Sequence, residues 1–445
     1  MMNIWSQARA LAIATPPDRN RYADLLRALS ILFVILGHWL MTTAVYDKAS
    51  QTLTPVLALD VVDWSAWLTW GFQVMPIFFI VGGYSNAISL ASARRRNLSY
   101  AQWLTGRLQR LLTPLTVLVV FWAIVAFVLN LAGIPEAQIR FFSQSALVPT
   151  WFLAIYTMIV LLAPLSHRFW QRWGYGSLLI YVGAAVFVDT AFFALEWTWL
   201  GWSNYFWVWL AMHHLGFVWH DGRLGSPRKL LAIALCALLA LSALIFFGPY
   251  PIAMAGSPGD EVSNTLPPKV TLIALGVFQF GLLMALEKPV QRLLQRVSLW
   301  TATVLVNSMI MTVYLWHMTV LVGLMALCYL ADGLGFGATV GSLEWWSTRP
   351  LWLAALTVLL IPVALLLSRL EHLTFSGKDR PPGAVRLVLG AVFAGLGIAL
   401  ASLLGLNGNI WEAANTGIVA LMLVGAYACG VSLRRLTPSS EGATS

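Results

Sequence analysis

Long apolar runs alternate with short polar breaks along almost the whole chain. Twelve of these runs are long enough to cross a hydrocarbon core of about 30 Å as helices. They fall near 26–46, 66–91, 112–132, 150–166, 176–196, 203–219, 229–248, 268–286, 301–328, 350–369, 385–406 and 414–433. The expected fold is therefore all-α: a polytopic membrane bundle of about twelve helices, with a single transmembrane domain over 26–433. A short apolar patch at 8–14 is followed by Thr15-Pro16-Pro17-Asp18 and more arginine, which reads as part of an N-terminal arm (1–25) rather than a cleaved leader. Residues 434–445 read as a tail.

Composition sharpens this picture. Hydrophobic residues make up 59% of the chain and charged residues 10%, against about a quarter charged in soluble domains. So few charges cannot cover that much apolar surface in water. The net charge of +9 comes from basic residues in the breaks. With the N-terminus inside, all but four of the 27 Lys and Arg lie in cytoplasmic segments; only Lys48, Arg140, Lys269 and Arg349 fall outside. That asymmetry puts both termini in the cytoplasm and directs the charge to anionic headgroups rather than to nucleic acid. Cys236, Cys328 and Cys429 sit inside apolar runs with no paired spacing, so neither a disulfide framework nor a zinc site is expected. The longest outside break, about 249–267, is too short for an appended soluble domain.

Ionisable residues at membrane depth are costly and mark function. The first run holds Asp24, Arg27 and His38. Arg27 and His38 are eleven residues apart, about 20° from three whole turns, so they share a face that Asp24 joins one turn earlier. A rise of about 16 Å sets Arg27 at the cytoplasmic interface and His38 near mid-membrane. A snorkelling Arg and a core His would explain each alone; the shared stripe favours a site entered from the cytoplasm. Arg94, Arg95 and Arg96 read as membrane anchoring. Arg107 and Arg110, neighbours at i,i+3, have the forked donors to clamp phosphates. Tyr314 and His317 share a face of the ninth run, which also carries Asn307 and Ser308. Gly82 and Gly83 in Phe78-Phe79-Ile80-Val81-Gly82-Gly83-Tyr84 permit close backbone approach or leave room for a ligand. Asp189 and Glu196 suit structural or acceptor-side roles. His213, His214 and His220 lack a carboxylate or Cys at ligand spacing, so no metal site is expected. Most of the 22 Trp fit interfacial belts, with a sugar-stacking platform on the outer face the lesser reading.

These residues also resemble a known family. Asp24-Leu25-Leu26-Arg27-Ala28 followed by His38 resembles the first helix of the acyltransferase 3 family of integral membrane acyltransferases. Arg107-x-x-Arg110 with Pro114 resembles its basic motif, and the 78–84 segment its Phe-Phe-x-x-Ser-Gly-Tyr/Phe segment. Trp151-Phe152-Leu153 with Pro164 and Tyr314-Leu315-Trp316-His317 are similar to two later motifs. The motifs lie within about 20–330, leaving the last two helices outside them. Gly82 departs from the family's Ser, and Tyr156 stands near where one subgroup has Glu. The SGNH-type outer domain that some members append is absent from the sequence.

The resemblance implies transfer of an acyl group, usually acetyl, from cytoplasmic acyl-CoA to a hydroxyl of an envelope glycan, glycolipid or similar acceptor. No tightly bound cofactor or metal is implied, since the thioester donor is already activated. The expected setting is the plasma membrane, with a separate envelope-biosynthesis partner as a further expectation. On this reading Arg27, Arg107 and Arg110 bind the donor, and His38 is the general base. Asp24, Tyr314 and His317 complete the catalytic set with His38, the last two positioning groups or stabilising the oxyanion. The rival is a proton-coupled secondary transporter of twelve-helix type, with mid-membrane His and Asp as relay groups. Against it, the break between the second and third runs lacks a Gly-x-x-x-Asp-Arg-x-Gly-type signature.

Overall fold

The computed structural model describes residues 4–50, 52–256, 260–367 and 381–431, and the fold is helical. The expected 434–445 tail, and the basic residues Arg369, Lys378, Arg380, Arg434 and Arg435, lie outside the described residues. Among the described residues, ten helices are long and apolar enough to cross a membrane. Of the twelve expected runs, Asn204–His220 has 17 residues and Ala413–Ala428 has 16. At 1.5 Å per residue these span about 24–26 Å, short of a full hydrocarbon core.

Three boundaries differ from the sequence expectation in ways that matter for function. The first membrane helix is Arg21–Met41, five residues earlier than the apolar run. Asn20 starts it: its Oδ1 accepts from the N–H groups of Tyr22 and Ala23 at 3.0 and 3.2 Å, which satisfies donors that a helix N-terminus leaves unpaired. The β-branched run Thr42-Thr43-Ala44-Val45 then leaves the helix as a strand, Thr42–Asp47, paired antiparallel with Thr52–Leu57. The run near 150–166 becomes Glu136–Leu147, a 3₁₀ turn Val148–Thr150, and Trp151–Trp173. The run near 301–328 is broken at Met309 into Val297–Ser308 and Ile310–Leu330. The arm is not featureless either: it folds as helix Ile4–Ile13, with Ala12 packed on Leu294 and Trp300.

The chain forms two compact units. The first takes residues 1–89, 163–310 and 328–353. Its helices Met75–Arg95 and Asn204–His220 touch backbone to backbone: a Cβ on Gly83 would run into the His213 carbonyl, and one on Gly216 into the Ile80 carbonyl. Of the two uses the Gly82-Gly83 pair offers, Gly83 serves close helix approach. In the same unit Asn264 Nδ2 donates to the carbonyls of Pro251 (2.7 Å) and Ala253 (2.9 Å), tying the stretch before helix Val270–Leu293 to the one after Pro227–Phe247.

The second unit takes residues 90–162, 311–327 and 354–445. Its long helix Tyr100–Leu131 opens with a capping box, Ser99 with Gln102. Helices Ala384–Leu404 and Ala413–Ala428 form a tight hairpin in which Gly397 meets the backbone of Met422, and Gly425 that of Ala394. The hairpin braces the long helix: Gln109 Nε2 donates to the Gly430 carbonyl at 3.3 Å, and Thr116 Oγ1 approaches Met422 Sδ at 3.8 Å.

Candidate functional site

In the first unit, Asp24 and Arg27 pair as their i,i+3 spacing predicts, Oδ1 to Nη1 at 3.4 Å. Asp24 is buried, and its other oxygen takes a 2.6 Å bond from Arg19 Nε. That bond raises the Arg19 pKa above its ordinary value, burial acting against it. Arg27 reaches on to Ser85, whose Oγ accepts from Nη2 at 3.2 Å. The carboxylate thus ties Arg27 to the helix start while a hydroxyl from helix Met75–Arg95 orients the guanidinium. Asn307, one residue before the end of helix Val297–Ser308, donates from Nδ2 to the Asp24 carbonyl at 2.9 Å.

A ring of aromatic and polar groups surrounds this pair. Asn20 Nδ2 donates to the Tyr84 hydroxyl at 2.9 Å, and the Tyr84 and Trp219 rings lie 4.3 Å apart. Trp219 Nε1 donates to Glu287 at 3.0 Å, and the Tyr22 hydroxyl to the Leu283 carbonyl at 2.6 Å. Tyr84, the last residue of the 78–84 motif, therefore anchors the start of the first helix. Gly82 brings no hydroxyl, and Ser85, one turn on, supplies the hydroxyl that Arg27 uses.

His38 lies in the last turn of Arg21–Met41, its carbonyl accepting from the N–H of Thr42. It is not midway along its helix, because the chain turns into the strand pair four residues later. The stripe shared with Arg27 is unchanged, since both residues are in one unbroken helix. Asp24 is fourteen residues from His38, a rise of about 21 Å, so it makes no direct bond to the imidazole.

The second unit holds the other expected residues. Arg107 is half-buried and Arg110 exposed. Arg107 Nη2 approaches the Tyr156 hydroxyl at 3.5 Å, so the Tyr standing where a subgroup has Glu is a neutral partner for the guanidinium. Pro114 lies inside the same helix and withholds the N–H that the Arg110 carbonyl would otherwise accept. Two motifs far apart in sequence meet here: Phe152 stacks on Tyr156 at 5.6 Å and edges Tyr314 at 6.1 Å. The Tyr314 hydroxyl donates to the Pro149 carbonyl at 2.5 Å, which makes it a tether between helices rather than a donor aimed at substrate. His317 is fully buried, with Nδ1 2.6 Å from the Tyr314 carbonyl. Facing a carbonyl, Nδ1 must carry the proton, so the neutral ring presents its lone pair at Nε2.

The remaining polar residues are used in packing. His213 Nε2 accepts from Asn86 at 3.0 Å, and His214 Nδ1 is 3.3 Å from Ser166 Oγ. Asp189 accepts from Asn204 (2.8 Å), Tyr250 (3.1 Å) and the Val270 N–H (2.8 Å), and so joins Tyr250 to the start of helix Val270–Leu293. Arg94, Arg95 and Arg96 are exposed, as anchoring residues would be. Sequence did not single out Arg19 and Asn307 as contacts of Asp24, nor Ser85 and Tyr156 as contacts of the arginines; Asn307, as a polar residue in the ninth run, and Tyr156, as a departure from the family pattern, carried the signals available.

The family model described as an acyltransferase domain (acyltransferase 3) matches residues 20–369. It takes in every residue named above from Asn20 to Asn307 and both residues of the late Tyr-His motif. No curated protein and no solved structure matches the chain.

Proposed function

Because the chain belongs to the acyltransferase 3 family and is a multi-pass membrane protein, we propose that it moves an acetyl or similar acyl group from cytoplasmic acyl-CoA to a hydroxyl of an envelope glycan or glycolipid at the plasma membrane. The observation that carries this reading is the first helix. Arg27 is held in place by Asp24 and Ser85, and His38 follows on the same stripe about 16 Å along the axis. That offset is comparable to an extended pantetheine arm, so a phosphate end near Arg27 leaves the thioester near the imidazole.

In this reading Arg27 binds the donor's phosphates through forked, charge-assisted bonds, and Arg107 and Arg110 are the phosphate-binding residues of the second unit. His38 takes the proton from the acceptor hydroxyl as it attacks the thioester carbonyl, and coenzyme A leaves as the thiol. Asp24 is a positioning residue for Arg27, and Tyr314 positions the Trp151–Trp173 helix. His317, with its tautomer set by the Tyr314 carbonyl, is the second imidazole able to accept a proton.

The test supplies labelled acetyl-CoA to the purified protein with envelope lipid and glycan fractions. Ester-linked label in one fraction is expected, lost in His38→Ala while coenzyme A still binds. Removing a positioned base costs about 10²–10⁴ in rate. Absence of labelled product from wild type with every fraction refutes the activity. Full transfer by a folded His38→Ala protein refutes the role of His38 and directs attention to His317.

A further inference from the structure

Four basic residues fall on the side that the charge asymmetry assigns to the exterior: Lys48, Arg140, Lys269 and Arg349. Three of them answer to an acid. Lys48 pairs with Asp332 at 3.3 Å and Arg140 with Glu412 at 3.4 Å. Lys269 is fully buried with its ammonium 3.9 Å from the Phe192 ring, and the charge of Asp189 acts on it.

Arg349 is different. It is 4% exposed, and among the described residues no carboxylate pairs with it. Its hydrogen bonds go to its own helix, Leu343–Leu367: Nε to the Trp345 carbonyl and Nη2 to the Thr348 hydroxyl, both 3.3 Å. Its guanidinium carbon lies 4.3 Å from the Trp345 ring centroid and 5.4 Å from that of Trp352. The indole N–H groups of Trp346 and Trp352 are buried without a hydrogen-bond partner among the described residues, and Trp352 is itself more than nine-tenths buried. Residue 349 is four after 345, three after 346 and three before 352, so on this helix it neighbours all three tryptophans.

The donor set is one-sided. One full positive charge and two indole N–H groups lie close together along this helix, with no anion among the described residues to receive them. A buried charge without a counter-ion is destabilising, and so is a buried donor without an acceptor. Stacking on indoles returns only part of that loss. An oxyanion is the group that would satisfy all three at once, and a guanidinium is matched to carboxylate and phosphate. Beside them Trp64, half exposed, lies 5.4 Å from Trp346 and offers an open ring face.

We propose that Arg349 with Trp346 and Trp352 forms a subsite for the carboxylate or phosphate of an anionic sugar, the sugar ring lying on the Trp64 indole. The subsite rests on the glycan-acyltransferase reading and gives its acceptor a chemical class: acidic or phosphorylated rather than neutral saccharide.

The test needs no acyl donor. The full chain is reconstituted in nanodiscs of phosphatidylcholine, alone or with phosphatidylglycerol, and titrated calorimetrically with glucuronate, glucose 1-phosphate and glucose. At least one anionic sugar should bind ten-fold or more tightly than glucose in phosphatidylcholine. Arg349→Gln should remove that advantage and Arg349→Lys reduce it, while Trp352→Phe, which keeps an aromatic ring but removes the indole N–H with the pyrrole half of the bicycle, should weaken binding several-fold. If Arg349→Gln does not elute as a single species, the other two variants decide. Equal binding of glucose and both anionic sugars, or unchanged affinity in Arg349→Lys and Trp352→Phe, overturns the proposal. So does heat that appears only with phosphatidylglycerol present, which assigns the charge to a lipid headgroup. Because transfer is not measured, loss of this subsite leaves the acyltransferase reading standing, and absence of transfer leaves the binding result standing.

Discussion

Replacing Asp24 by Asn separates a positioning role from a catalytic one. The carboxylate accepts two charge-assisted bonds, each worth about 1.5–3 kcal/mol when well shielded. The Arg19 side chain is 53% exposed, which lowers its share to about 0–1 kcal/mol. The Arg27 bond is long at 3.4 Å and its side chain is 33% exposed, so about 1–2 kcal/mol is a fair value. The amide keeps the shape but loses the charge, and Arg27 retains only Ser85. If Arg27 holds the donor's phosphates, its loosening by about 1–2 kcal/mol translates into a roughly 5–30-fold weaker affinity for acyl-CoA. Turnover at saturating donor should change much less, and Asp24→Glu should recover part of the loss. The assay is coenzyme A titration in detergent alongside initial rates at several acyl-CoA concentrations. A fall of about 10²–10⁴ in kcat with unchanged coenzyme A binding would make Asp24 a proton-transfer group instead and refute the positioning argument.

Three further outcomes are expected. The Arg107→Ala/Arg110→Ala protein should insert normally yet lose coenzyme A affinity, by about 1.5–3 kcal/mol for each phosphate bond removed; equal affinity in titration would strip these residues of a donor role. Tyr314→Phe should lower thermal stability by about 1–3 kcal/mol, because the Pro149 carbonyl loses its donor, while the surviving folded protein keeps its kcat; a drop of about 10²–10³ in kcat would return the hydroxyl to oxyanion stabilisation. Burial pushes Lys269 down to about 8 from 10.5, with Asp189 acting the other way. The unfolded chain therefore binds more protons at this residue between those values, and stability should rise with pH from about 8 to 10.5. Lys269→Met should flatten that rise in thermal melts, and an unchanged slope would mean the lysine is solvated.

Much of the fold can be read from hydropathy alone, because a membrane helix must be both long and apolar. What hydropathy misses are features decided by single residues. Asn20 extends the first helix backward through a polar turn that no apolar window includes. The break at Met309 follows Asn307-Ser308, a polar pair too short to end the apolar run in a hydropathy window, so the backbone shows it first. Local spacing correctly joined Asp24 to Arg27, but the contacts with Ser85 and Asn307 come from distant stretches and leave no periodic trace. Tyr314 looked like a substrate-facing donor because motif order says nothing about where a hydroxyl points; the Pro149 carbonyl takes it. His38 shares the Arg27 stripe as expected, yet its place at the helix end depends on a strand that the apolar run conceals.

The order in which the two units draw on the chain has a consequence for biosynthesis. The first unit is interrupted twice, waiting on residues 163–310 and then 328–353, and the second needs 311–327 between those arrivals. Neither unit is complete when its own first helix leaves the ribosome. The Asp24 carbonyl must wait for Asn307, some 280 residues later, or about 15–60 s at the usual pace of synthesis. During that interval the charged start of the first helix needs another shelter, from lipid headgroups or an insertion factor. The Asn307 tie to the first helix is thus a late event in translation, whereas Asp24 and Ser85 are in place early.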